Sequence, residues 1–223
     1  MLPQIHSAIL PDSLGNFLVM IGFGAYHGLN PAMGWLFALS LGLQQQNGRV
    51  VWISLFPIAA GHAASVVLVA LIVLAGIRFV SSTALQILTA VVLLTFGIYK
   101  LFNYYRHPRW VGMKVGIRDL FVWSFLMATA HGAGLMVAPS LLGIAEEYCA
   151  PGVDAHPGTG LLLAVGLHTI AMFAVMGAVA WIVYKKLSLA VLRQKWINFD
   201  LIWAAALLLV GAIALFMAIR NEL

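Results

Sequence analysis

The stretch "AYHGLNPAMGWLF", Ala25 to Phe37, sets a histidine, an asparagine, a proline and two glycines in the middle of an apolar run that extends from Asn16 to Leu43. That run has 28 residues. As one α-helix it would be about 42 Å long, against a hydrocarbon core of about 30 Å. Pro31 lacks a backbone donor and disfavours helical geometry at Asn30, so the run reads as a helix interrupted beside His27 rather than one long tilted rod. Irregular backbone at membrane depth is tolerated only where protein or a water-filled cavity surrounds it. There it frees carbonyls and half-helix ends to coordinate an ion. The plainer reading is that Gly28 and Gly34 only let helices approach closely.

The rest of the chain fits a membrane setting. Of its 223 residues 63% are apolar and 9% charged, and the mean hydropathy is +1.00. A soluble domain carries roughly 25% charged residues. The expected fold is all-α and polytopic, with six transmembrane helices at Asn16–Leu43, Val50–Ile77, Thr83–Tyr104, Leu120–Ile144, Gly160–Tyr184 and Trp196–Ile219. Short connections leave no room for a soluble domain. The net charge of +5 does not point to nucleic acid, because the basic residues cluster in loops: Arg49 after the first run, Arg106, Arg109, Lys114 and Arg118 after the third, and Lys185, Lys186, Arg193 and Lys195 after the fifth. The opposite side has Arg78, Arg220 and the acidic stretch "AEEYCAPGVDAHPG". The positive-inside rule then puts both termini outside a bacterial or archaeal inner membrane. Trp52, Trp110, Trp181 and Trp196 fall near the cytoplasmic boundaries expected of an aromatic belt. The opening "MLPQIHSAILPDS" has no positive region, so no cleaved signal peptide is expected. Cys149, the single cysteine, allows neither an internal disulfide nor a two-cysteine redox couple.

The two halves, residues 1–106 and 107–223, resemble each other. "YHGLNPAMGW" has a counterpart in "AHGAGLMVAP", "AAGHAASVVLVA" in "VGLHTIAMFAVM", and "LLTFGIYKLF" in "LLLVGAIALF". The offsets are 104 for His27 to His131, 106 for His62 to His168 and 114 for Gly97 to Gly211. They grow along the chain, as duplicated halves with diverging loops would make them. A unit of three spans repeated within one chain must face opposite ways, which gives an inverted repeat of the kind common among secondary transporters. By this correspondence Gly132 and Gly134, beside His131, mark a second interruption, in the fourth span.

Of the seven histidines, His6, His107 and His156 lie in tails or loops. The other four, His27, His62, His131 and His168, fall near the middles of spans, two from each half, with no aspartate, glutamate, lysine or arginine at that depth. Asp119 and Asp200 lie near span ends. An ionisable group at bilayer depth is costly and marks a site or pathway. One such histidine alone is most often structural, bonded to a carbonyl on a neighbouring helix. Four, related in pairs, can converge on a pseudo-two-fold axis. Neutral imidazole binds Zn, Cu, Ni, Co or Fe and also shuttles protons near neutral pH. Asn30, inside the first break, is the best placed neutral polar residue for ion binding, and Thr129 and Thr169 lie close enough to the histidines to support them. Met172 and Met176 follow His168 along one helix face, and Met33 and Met136 follow the other core histidines. Thioethers there would favour a soft ion, but methionine is also ordinary apolar filler.

"HGLNP" and "HGAG", together with His62 and His168, resemble the lysine-exporter superfamily. That group has six spans in two inverted three-helix halves, with breaks in the first and fourth, and includes amino-acid exporters, nickel and cobalt exporters, cadmium and tellurium resistance proteins and thiol transporters. The first and fourth spans here contain no cysteine, so thiol chemistry is excluded. The H-x4-D-H motif of nickel/cobalt permeases is absent. The resemblance implies the fold and a transporter class.

The leading expectation is therefore a secondary transporter for a transition-metal cation. In it His27, His62, His131 and His168 bind the ion or couple it to protons, and one half rocks against the other. The alternatives are a redox protein that holds haem between paired histidines, or an accessory subunit of a membrane complex whose histidines bond helix to helix. Either a homo-oligomer or a complex partner is compatible with the sequence. Nothing supplies the acid or nucleophile of an enzyme.

Overall fold

The computed structural model describes residues 12–102, 116–148, 157–186 and 199–220. Among these the chain is helical throughout and forms no strand. Its elements are α1 (Asp12–Leu29), a 3-10 turn (Pro31–Met33), α2 (Trp35–Gln44), α3 (Gly48–Gly76), α4 (Ser82–Phe102), α5 (Ile117–Ala130), α6 (Ala133–Tyr148), α7 (Pro157–Lys186) and α8 (Phe199–Arg220). Four helices are long and apolar enough to cross a bilayer: α3, α4, α7 and α8. The pair α5–α6, bent by 69°, makes a fifth span if taken as one. The first expected span is present as two shorter apolar helices, α1 and α2. The chain is an integral membrane protein, and its lipid-facing surface includes Phe56, Leu71 and Ile72 of α3, Leu88 and Ile98 of α4, Ile170 of α7 and Leu209 and Phe216 of α8.

Both interruptions expected from the sequence are present, each with a local cause. α1 stops at Leu29 because Asn30, before Pro31, adopts an extended conformation (φ −70°, ψ 118°). The Asn30 Oδ1 accepts the N–H of Ala32 at 2.9 Å, which caps the turn. Gly34 then takes φ +120°, a value open to glycine, and α2 begins. In the fourth run, His131 closes α5 with its N–H bonded to the Met127 carbonyl at 2.8 Å. Gly132 at φ +71° turns the chain into α6. Pro139 lies inside α6 without ending it. Each break leaves helix-end carbonyls without intrahelical donors. In both, an indole supplies a donor: Trp35 Nε1 bonds the Leu29 carbonyl at 3.2 Å and Trp203 Nε1 bonds the His131 carbonyl at 2.6 Å.

The helices pack in matched pairs. α1 lies along α7, α5 lies along α3, and α4 crosses α8. α3 and α7 meet at the centre and run antiparallel, because Gly48 abuts Trp181 while His62 faces His168. α4 and α8 contact each other reciprocally: Gly97 sits on Leu208 and Gly211 sits on Leu94. Ala90, Leu93, Ala204 and Leu207 are buried in the same seam. One core cluster joins α6 to the first part of α7 and the second part of α3, around Leu141, Leu161 and Val66. Another joins α2 to the first part of α3 and the second part of α7, around Leu39, Leu55 and Met176.

One end of the bundle collects basic and aromatic groups. Trp52 and Trp181 lie 6.1 Å apart and Lys185 sits 5.1 Å over the Trp181 ring. Trp110 and Trp196, most of the basic residues of the two long loops, Cys149 and the loop histidines His6, His107 and His156 lie outside the described residues.

α1 approaches α7 closely enough that a Cβ on Gly24 would collide with the His168 carbonyl, and one on Gly28 would fall 2.5 Å from the Met172 carbonyl. Gly22 on the same helix faces open space. Gly24→Val should therefore force α1 off α7, costing about 1–3 kcal/mol as overpacking does. Gly22→Val should leave stability unchanged. Thermal unfolding in detergent distinguishes them: the Gly24 variant alone loses its midpoint.

Candidate metal centre

His27, His62 and His168 converge, and all three are fully buried. Their ligand atoms all lie within 4.8 Å of one another. The ring centroids of His27 stand 5.1 Å from His62 and 5.0 Å from His168, and those of His62 and His168 are 5.5 Å apart in nearly parallel planes. Each helix contributes for a sequence reason. α1 reaches the site because Gly24 and Gly28 let its backbone touch α7. α3 and α7 carry their histidines at mid-length, where the two helices face each other.

The hydrogen bonds set the ring states. His168 Nδ1 lies 3.0 Å from the Met20 carbonyl. A carbonyl only accepts, so this nitrogen carries the hydrogen and Nε2 of the neutral ring keeps a lone pair. His62 Nε2 stands 3.2 Å from that Nε2 and donates to it. His62 Nδ1 is then a lone pair, buried and without a partner. Both ring nitrogens of His27 are buried and unpartnered, the Phe23 carbonyl one turn earlier lying near the ring without hydrogen-bonding geometry. A site that leaves buried nitrogens unsatisfied is either strained or made for something that satisfies them.

The donor set fits a metal ion. Two nitrogens each about 2.0–2.1 Å from a tetrahedral metal stand roughly 3.4 Å apart, close to the His62–His168 separation of 3.2 Å. The bond from His168 to the Met20 carbonyl is the outer contact that orients ligating histidines, fixing the tautomer and aiming Nε2 inward. His27, with its ligand atom within 4.8 Å of the other two, would be the third ligand. The haem alternative paired His27 with His62 or His131 with His168; here His168 lies beside both His27 and His62, at 5.0 and 5.5 Å between ring centroids.

The fourth expected ligand, His131, stands outside the group. Its Nδ1 lies 2.8 Å from the Met127 carbonyl, and its ring meets the edge of Trp203 at 6.0 Å and 87°. Trp203 also contacts His27 at 5.0 Å and stacks on Tyr26 at 5.5 Å. It is 1% exposed. The indole thus contacts both His27 and His131. Asn30 is buried, but its carbonyl oxygen is used by the turn. Thr129 bonds Ser65 at 3.0 Å and the Phe125 carbonyl at 2.8 Å, tying α5 to α3. The hydroxyl of Thr169 is buried without a partner. Met20, Met33, Met136, Met172 and Met176 are core residues. Asp119 sits at the start of α5, where its carboxylate accepts the Gly116 N–H at 2.9 Å.

Sequence reasoning missed Trp203 and Tyr26, which lie in apolar runs as ordinary aromatics. The one signal for Trp203 was the halves' correspondence: the offset of 114 that pairs Gly97 with Gly211 pairs Thr89 with Trp203, a small residue with the largest.

Comparison with protein families, curated proteins and solved structures returns no match to this chain.

Trp203→Phe keeps most of the ring but leaves the buried His131 carbonyl without its donor, an unsatisfied group worth about 1–3 kcal/mol. Trp203→Ala opens a cavity as well and should cost about 3–5 kcal/mol. Calorimetry or a fluorescence melt should rank wild type above Phe above Ala. Equal midpoints for wild type and Phe would show that the indole N–H contributes nothing.

Proposed function

We propose that the protein is a secondary transporter for a transition-metal cation, with His27, His62 and His168 as the ion site. The observation that carries this reading is the convergence of three buried, neutral imidazoles, ligand atoms within 4.8 Å, at mid-length of a membrane bundle. The donors are all nitrogen, which suits Zn, Co, Ni, Cu or Fe and not Ca or Mg. A divalent charge at that depth is costly without a carboxylate. The His62–His168 contact gives way to an ion once the His62 hydrogen shifts from Nε2 to its unpartnered Nδ1, which frees both Nε2 lone pairs and keeps the rings neutral. Protons compete with the ion for the same lone pairs.

The reading includes six spans in two inverted halves, the plan of the lysine-exporter superfamily. Supporting it are the reciprocal Gly97–Leu208 and Gly211–Leu94 contacts, the matching of α1 on α7 with α5 on α3, and an indole-capped break in the first span of each half. α1 and α2 together make the sixth span: α2 continues toward the basic end, where Gly42 packs on Val51. In this orientation the basic loops and their belt tryptophans face the cytoplasm.

The test is Co²⁺ titration of the purified protein, followed by absorption, alongside metal flux into proteoliposomes read by an internal dye. One ion per chain is expected. His62→Ala and His168→Ala should each reduce affinity at least a hundredfold and abolish flux. Affinity should fall on acidification, because protons compete with the ion for the imidazole lone pairs. Wild-type protein that takes up no Co²⁺ or Zn²⁺ at neutral pH would remove the proposal.

A further inference from the structure

We infer that the protein contains two alternative three-histidine sites sharing His62 and His168, the first completed by His27 and the second by His131, with Trp203 deciding which is formed. This rests on the metal-transport reading above. Four observations lead to it.

The shared pair lies where α3 of one half meets α7 of the other, at offset-matched positions. His27 and His131 also match, both at the end of the half-helix that precedes a break. Each half-helix packs on the central helix of the opposite half: α1 on α7, α5 on α3. Any two-fold that exchanges the halves therefore exchanges His27 with His131 and leaves the His62–His168 pair in place. A site built from the pair plus His27 implies a mirror site built from the pair plus His131.

The present arrangement forms only one of them, and Trp203 is the asymmetric element. Its ring contacts both His27, at 5.0 Å, and His131, at 6.0 Å. Around it the α4–α8 seam is matched residue for residue: Ala90 with Ala204, Leu93 with Leu207, Leu94 with Leu208, Gly97 with Gly211. At the Trp203 position α4 has Thr89, so the first half has no such wedge. Ordinary repeat drift explains changes on the lipid face. It does not explain the largest side chain in the chain set between the two histidines that the two-fold would exchange.

The ion then changes one ligand while keeping two. With Trp203 in place the site is His27, His62, His168. When α8 carries Trp203 aside, His131 turns onto the shared pair and His27 is released. Each state keeps three nitrogens on the ion, so no step leaves it with two ligands. Trp203 is a positioning residue in this scheme, and His131 is a ligand of the second state.

The experiment uses the full chain with Co²⁺ as probe. His27→Ala should weaken Co²⁺ binding at least tenfold. Adding Trp203→Leu to it should restore affinity to within about threefold of wild type, by admitting His131, and adding His131→Ala as a third change should abolish that recovery. His131→Ala alone should bind Co²⁺ as wild type does but lose flux in proteoliposomes at least tenfold. If the alanine variant does not fold, His131→Gln, which keeps a donor for the Met127 carbonyl, takes its place. Should the Trp203→Leu protein not fold, the His131 variant decides by itself. Wild-type flux in a His131 variant whose Co²⁺ affinity is intact would overturn this inference and leave the His27–His62–His168 transporter standing. Absence of Co²⁺ binding by the wild type would instead remove the reading on which it rests.

Discussion

The contact between His62 and His168, 3.2 Å from nitrogen to nitrogen, is the constraint that the rest of the arrangement serves. Two imidazoles can sit face to face in a membrane core only if both are neutral and their tautomers agree. The Met20 carbonyl settles the tautomers by taking the His168 Nδ1 hydrogen. For that carbonyl to reach the ring, α1 must lie against α7 with no side chain between, which Gly24 and Gly28 allow. The same close approach puts His27 against the pair, so one packing requirement places the third imidazole and fixes the second. Met20, itself buried, anchors α1 in the cluster formed by α3, α6 and α7.

Much of this was legible in the sequence. Pro31 after Asn30, and Gly132 after His131, are local signals whose cause is steric, so both breaks could be placed to within a residue or two. The grouping of midspan histidines, with no charged residue at that depth, pointed to the site where His27, His62 and His168 converge. What the sequence could not show is where the symmetry fails. Offsets treat His27 and His131 as equivalents, and the structure sets one inside the group and one beyond Trp203. That difference is made by a residue on α8, far from either histidine in sequence and unremarkable in an apolar run. Asn30 has a local use as well: it caps the turn, its Oδ1 accepting the Ala32 N–H. The first expected span is the least legible feature, since the chain forms two apolar helices there, α1 and α2, each shorter than a membrane's width.

Neutral histidine suits a site that must be both formed and crossed within a bilayer. A carboxylate would hold a divalent ion more firmly but would stand charged and desolvated once the ion left. Imidazole avoids that, because without metal it stays neutral. Under the proposed function the well for the ion is correspondingly shallow, which lets it be released. The unpartnered nitrogens of His27 and His62 are unsatisfied polar groups rather than buried charges.

The two indole caps separate the roles of the two breaks. Trp35 bonds the carbonyl of Leu29 from its own half, six residues along the chain, and so closes the first break locally. Trp203 bonds the carbonyl of His131 from α8, 72 residues away, and so makes the second break depend on where α8 lies. Shifting α8 would break that 2.6 Å bond and uncover the ring of the same residue whose carbonyl it had capped. A freed carbonyl at that depth has no water to turn to and is costly until something else satisfies it. Under the proposed exchange of ligands, that cost holds α8 in place until an ion gains a nitrogen from His131. Coupling between the ion and the helix then needs no relay of small displacements, because wedge, cap and second ligand meet at one residue pair.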